Sequence, residues 1–228
     1  MRMAFFPSAG AKLLDESFSR AMFDSEAAFA AFAFYDRLLA SGAARRWSRG
    51  TMEDPIVLYK TDRTFANISG PWYAKFLESK APEQSGKWRV ALFPRRAPEY
   101  PSCGLGGACM ALPYNAPNRE AALKLIRFMS TPKFSLAYFS RVGSPPPLKE
   151  AWCDPSFDAP QPYFGGQPIY HVVREAIESA RPLQLLPTPE LLKGPIRRAM
   201  YDITVQNEPI GPTLRRAVKA ANEILENQ

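Results

Sequence analysis

Strand-like patterning is scarce in this chain, and that scarcity limits the folds open to it. Residues 63–69 (RTFANIS) alternate polar and apolar, as a half-buried strand does. Residues 87–93 put Trp88, Val90 and Leu92 on one face, and residues 106–112 (GGACMAL) read as a third, buried strand. Three strands are too few for a self-contained sheet with every edge covered. The chain therefore reads as helix-rich with a part missing.

The remaining patterned segments have helical period. Asp24 or Ser25 is placed to cap a helix whose apolar stripe is Ala28, Phe32, Tyr35 and Leu39, with Gly42 just past its end. A basic, irregular stretch with Trp47 inside it follows over 45–54. Pro71 suits the first position of a short helix reaching about Leu77. A loop follows Pro94 as far as Ser102. Asn118 is placed to cap the clearest helix, in which Ala122, Leu125, Ile126 and Met129 fall at i, i+3, i+4, i+7. Ser130-Thr131-Pro132 stops it, and Pro132 starts a second helix to about Val142. Residues 143–168, rich in proline and glycine, read as a long surface excursion. Helical patterns over 169–180, 190–206 and 212–226 close the chain, the last carrying Leu214, Val218, Ala221 and Leu225 on one stripe.

Composition narrows the function classes. Hydrophobic residues make up 46% and charged ones 22% of 228, which excludes wholesale disorder and coiled coil. No stretch approaches the roughly 18 uncharged apolar residues of a membrane span. Met1 to Gly10 holds one Arg and no apolar run before a cleavage site, so no signal peptide is read there. The net charge of +7 makes a nucleic-acid partner a legitimate second reading, a basic domain without catalytic activity. The basic residues are nevertheless scattered as pairs such as Arg95-Arg96 and Arg215-Arg216, the pattern of solvated helix faces. Cys103, Cys109 and Cys153 match no disulfide framework or metal spacing, and are expected as small buried hydrophobes.

Catalysis finds little support in the residues. His171, the single histidine, sits at a helix start with no G-x-S-x-G elbow to serve, so it reads as a surface residue. Gly104-Leu105-Gly106-Gly107 precedes its strand and lacks a P-loop lysine, so it does not read as a phosphate cradle. Acidic pairs such as Glu53-Asp54 are adjacent and do not face one another on a helix. No enzyme, metal or cofactor is expected. Binding chemistry is better served. Trp72 follows Gly70-Pro71 at a strand-to-helix turn, where an indole is held at a fixed angle with one face free. A flat indole can desolvate the C–H face of a sugar ring at little conformational cost. Trp88, inside a strand, is expected in the core.

The order of these motifs resembles the C-terminal part of the family of extracellular solute-binding proteins of carbohydrate ABC importers, the maltose-binding-protein-like group. The likeness is carried by FDSEAAFAAFAFYDRLLASG (23–42), TFANISGPWYAKFL (64–77), the block from Gly104 through NAPNREAALKLIRFMSTPKF to Pro147, and the closing helices after Gly165-Gly166-Gln167. The resemblance implies an α/β fold of the periplasmic-binding-protein type II, helix-rich and incomplete, with most of the N-terminal lobe missing. It implies that 1–103 form the first part of the C-terminal lobe. Residues 104–143 would be a crossover segment belonging to the N-terminal lobe, and 144–228 would close the C-terminal lobe. It implies a carbohydrate ligand, an ABC permease and its ATPase as partners, and a periplasmic or extracellular lipid-anchored location. Trp72 matches the family's stacking tryptophan, and Tyr73, bordering the same turn, is a further substrate-binding candidate. Gly106 and Gly107 match a double glycine where backbone approaches the ligand, which absence of Cβ permits. Lys193-Gly194-Pro195 stands where the group carries a closing aromatic. The implied protein is a substrate-binding component for sugar uptake in truncated form, binding sugar weakly or not at all by itself.

Overall fold

The structure, a computed structural model, describes residues 5–44, 55–100, 109–180 and 190–227. These contain nine α-helices: α1 (Phe5–Ser8), α2 (Glu26–Ala40), α3 (Pro55–Lys60), α4 (Tyr73–Lys80), α5 (Arg119–Met129), α6 (Pro132–Val142), α7 (Ile169–Ser179), α8 (Glu190–Thr204) and α9 (Ile210–Glu226). The chain divides into two compact units. Unit 1 comprises Met1–Thr51, Phe93–Leu105 and Ala176–Gln228, and unit 2 comprises Met52–Leu92 and Gly106–Glu175.

Unit 1 is built on helix faces. Ser25 Oγ accepts the backbone N–H of Ala28 at 3.3 Å, satisfying one of the open donors at the start of α2. At the other end Gly42 takes a left-handed φ of 74°, which a side chain would resist. The α2 stripe buries Ala28, Ala31 and Phe32, and the Phe32 ring meets Phe6 of α1 edge-on at 5.1 Å. Leu192, Ile196, Ala199, Met200 and Ile203 recur at helical spacing along α8 and share one core with Leu214, Ala217, Val218 and Ala221 of α9. The turn between these helices is tied by charge. Asp202, nearly fully buried, receives the Arg198 Nε–H at 3.0 Å. Glu208 accepts from Arg216 and from Thr213 Oγ1, and the Arg216 contact holds its carboxyl below the usual glutamate range.

Unit 2 is built on rings. Tyr59, Leu77, Phe139, Phe157, Tyr163, Phe164, Ile169, Tyr170 and Val173 form its core. Phe157 is completely buried, with ring centres of Phe139, Trp152 and Tyr170 at 4.4, 4.7 and 5.8 Å. Residues 143–168 are therefore not a surface excursion. The segment folds into three short 3₁₀ turns, Lys149–Cys153, Pro155–Phe157 and Pro162–Phe164, which deliver Phe157, Tyr163 and Phe164 inward. Proline fixes φ at the start of two of these turns and makes the tight geometry accessible. α6 begins and ends as its sequence indicates, with Thr131 Oγ1 accepting from the Phe134 N–H and Gly143 left-handed beyond it. α5 forms where its stripe predicts, but the Asn118 side chain makes no capping bond, and none of its residues is buried.

None of the three strand segments pairs into a ladder among the described residues. Residues 63–69 and 87–93 run without strand hydrogen bonding, as do 109–112, while 106–108 lie outside the described residues. Alternation reports that one side of a segment is suited to burial; a strand also needs a neighbour to take its N–H and C=O groups. Around Val90 a side chain supplies that neighbour. The Gln167 amide accepts the Val90 N–H at 2.8 Å through Oε1 and donates to the Val90 carbonyl at 2.8 Å through Nε2. Cys109 and Cys153, expected to be buried, are exposed; Cys103 lies outside the described residues. Cys153 ends a 3₁₀ turn whose inward position is taken by Ala151.

Candidate functional site

The strongest candidate site in unit 2 begins with a turn. The Tyr73 N–H donates to the Gly70 carbonyl at 2.9 Å, closing a four-residue turn with Pro71 at its second position. The Trp72 backbone is already helical, φ −57° and ψ −20°, so the turn flows directly into α4. The Trp72 indole remains 49% exposed, large and flat at the head of a helix. It is not loose. Its ring meets the Tyr73 ring edge-on at 5.4 Å, and a Cβ on Gly70 would lie 2.6 Å from Nε1 of the indole.

Tyr73 is held by the core beneath this turn. Its ring is half-buried and packs on the unit 2 core, tilted on Phe76 at 5.1 Å and edge-on to Tyr59 at 6.3 Å. Its hydroxyl donates to the Tyr59 hydroxyl at 3.0 Å. Tyr73 thus anchors the first turn of α4 from below while Trp72 faces out. Sequence reasoning missed Tyr59, which sits on α3 with no motif to mark it. Its ring also supports Trp88, edge-on at 5.3 Å, which places Trp88 against the core as expected. Gly106 and Gly107 lie outside the described residues.

The far end of α4 is fixed as well. Leu77 is buried, and the Ala81 carbonyl accepts the Tyr163 hydroxyl at 2.8 Å inside the core. Burial pushes the Tyr163 phenol up to about 12, and burial does the same to Tyr170, so both stay neutral at any ordinary pH. Lys75 lies beside Glu78 at 2.8 Å, an ion pair along the helix. The arrangement offers an apolar ring face on a support of packed rings. Such a surface takes the C–H face of a neutral polyol ring by desolvation rather than by charge.

The other sequence candidates are not drawn into this turn. His171 stands exposed in the first turn of α7, its Nε2 2.8 Å from Asp158 Oδ1, with Arg174 3.6 Å from the same oxygen. Arg174 in turn lies over the Trp152 ring at 5.7 Å. Among the described residues no three His, Cys, Asp or Glu side chains converge as a metal site would require. Several basic residues are paired with acids, as in Lys60–Glu83, Lys87–Asp62 and Arg198–Asp202. No helix among the described residues is long and apolar enough to cross a membrane.

A family model described as bacterial extracellular solute-binding protein matches residues 2–161. Among solved structures, the chain is similar to an ABC transporter associated binding protein from B. animalis subsp. lactis in complex with beta-1,6-galactobiose, at a TM-score of 0.83 and 20% identity. That match covers 100% of this chain and 59% of the other. The sugar-binding protein MalE from Xanthomonas citri is similar at a TM-score of 0.79 and 18% identity, covering 99% and 55%. UgpB from Mycobacterium tuberculosis, solved with glycerophosphocholine, is similar at 0.75 and 20%, again covering 99% and 55%. The chain thus spans a little over half the length of these structures, and its fold is a partial version of theirs. No curated protein matches the chain.

Proposed function

From the premise that the chain belongs to the bacterial extracellular solute-binding proteins, we propose that it supplies one wall of a sugar-binding site in an ABC importer's receptor. Members of this family bind solutes, and the proposed role involves no bond making or breaking. The single observation that carries the reading is the Trp72 indole, half-exposed on a turn locked from two sides. Similarity in fold to a binding protein solved with beta-1,6-galactobiose and to the sugar-binding protein MalE supports it. Trp72 is the stacking residue, Tyr73 its support, and Gly106 and Gly107 candidates for close backbone approach.

The remaining contacts of the ligand would come from a second lobe. Residues 104–143 are proposed to dock on that lobe, a reading supported by α5, where Leu125 and Phe128 are 56% and 57% exposed. Closure of two lobes on a sugar favours the closed state because the ligand touches both only there. The closed form is then what a permease and its ATPase would engage, in the periplasm or at a lipid-anchored extracellular site. One wall alone gives weak binding, with a dissociation constant of about 1 mM or higher, since few of the contacts are made.

The test is a titration of the full chain with beta-1,6-galactobiose and with maltose, followed by ¹⁵N NMR of the indole N–H groups. A saturating, salt-insensitive shift confined to Trp72, absent in Trp72→Ala, is the expected result. No response at Trp72, or tight binding that survives Trp72→Ala, overturns the reading.

A further inference from the structure

Glycine is usually required where the backbone turns left-handed, yet Gly70 is not among the positive-φ glycines of the described residues. Its φ lies outside the left-handed range, and a residue preceding proline is steered toward extended backbone that any residue enters. The backbone therefore gives no reason for glycine at this position. The reason lies in the Trp72 side chain. A Cβ at position 70 would stand 2.6 Å from Nε1, 3.0 Å from Cδ1 and 3.6 Å from Cε2 of the indole. The first two distances are well inside van der Waals contact. The pyrrole edge of the indole fills the space that a side chain on residue 70 would take.

We propose that Gly70 is a positioning residue for Trp72: by lacking a side chain it lets the indole fold back onto the turn and fixes the plane of the exposed ring face. The inference rests on the sugar-wall reading for its purpose, and on the geometry alone for its mechanism. Two supports define the plane. One is the bare Gly70 backbone, and the other is the Tyr73 ring edge at 5.4 Å, itself held by the Tyr59 hydroxyl. With both in place the indole has little rotamer freedom to lose when a ring stacks on it, and an immobilisation cost at binding is avoided. A methyl group at position 70 would not disturb the turn; it would lift the indole off it. Fold and ring placement therefore separate, and that separation can be measured.

The experiment compares the full chain with Gly70→Ala by ¹⁵N NMR, using Trp72→Phe to assign the Trp72 indole cross-peak. The expected result is that Gly70→Ala moves this cross-peak, leaves those of Trp88 and Trp152 in place, and keeps the thermal midpoint close to the parent's. Sugar-induced shifts at Trp72 should weaken by about tenfold in affinity as preorganisation is lost. An unmoved Trp72 cross-peak in folded Gly70→Ala overturns the proposal. If Gly70→Ala fails to fold, the pair Trp72→Ala and Gly70→Ala/Trp72→Ala decides. Equal stability of the two shows that the indole was the obstacle, whereas unfolding of the double variant alone assigns the glycine to the backbone and overturns the proposal. A cross-peak that moves while the parent responds to neither maltose nor beta-1,6-galactobiose upholds the positioning and removes the sugar reading instead.

Discussion

Unit 1 buries mostly small and aliphatic side chains along helix stripes, Ala28 and Leu214 among them, with Phe6, Phe23 and Phe32 as its rings, whereas unit 2 buries ring against ring around Phe157. The first arrangement draws its specificity from periodicity, since α8 and α9 present every third or fourth residue to one another. The second draws it from turns that aim individual aromatics, and from side-chain bonds to backbone such as Tyr163 to Ala81. The contrast has a functional side. An exposed indole with a rigid base needs other rings beneath it, and Trp72 is found in the unit that has them.

The comparison is broken or sharpened most strongly at Phe157. Phe157→Ala is expected to cost about 3–5 kcal/mol, as for other fully buried aromatics. Loss of near-UV circular dichroism with most far-UV signal retained would show ring packing failing in unit 2 while the helices of unit 1 persist. Loss of both signals together in one transition would show that the units do not differ in this way.

Alkaline pH separates the two cores next. The phenols of Tyr163 and Tyr170 are pushed from 10 up to about 12 by burial, so the unfolded chain releases these protons at lower pH than the folded one does. The stability they confer is complete below pH 10 and is lost as pH rises to about 12. Among the described residues the buried core of unit 1 contains no tyrosine, and so lacks this pH dependence. Chemical denaturation at pH 8 and pH 11 should therefore show unit 2 weakening first, read by near-UV circular dichroism. An equal loss in both units would count against the contrast.

The smallest expected effect belongs to unit 1. Ser25→Ala removes the cap on α2 and should cost about 1 kcal/mol. A urea titration reads this as a lower midpoint at unchanged slope. The Trp72 cross-peak should not respond.

Legibility in the sequence follows the same division. α2, α6, α8 and α9 could be placed because an apolar stripe at helical spacing has few other uses, and Gly42 and Gly143 mark where helices stop. The strand over 87–93 could not be read correctly, because alternation records burial on one side and is silent about the partner. Here the partner is the Gln167 amide, 77 residues away. The 143–168 segment was misread for a related reason. Proline and glycine usually signal solvent, but here they shape turns whose aromatics point inward, and no period reveals that direction. At the candidate site, Gly70-Pro71-Trp72 announced itself through turn chemistry, whereas Tyr59 carried no local signal and became visible only through its hydroxyl bond to Tyr73.

The Gln167 clamp on Val90 has one more consequence. An extended segment with free amides is a template on which a strand from another molecule can zip. By occupying both the donor and the acceptor of Val90, the Gln167 amide acts as a plug, interrupting that template at its middle residue. A side chain that resembles one peptide unit, and ends there, lets the segment stay extended without inviting a second strand to continue it.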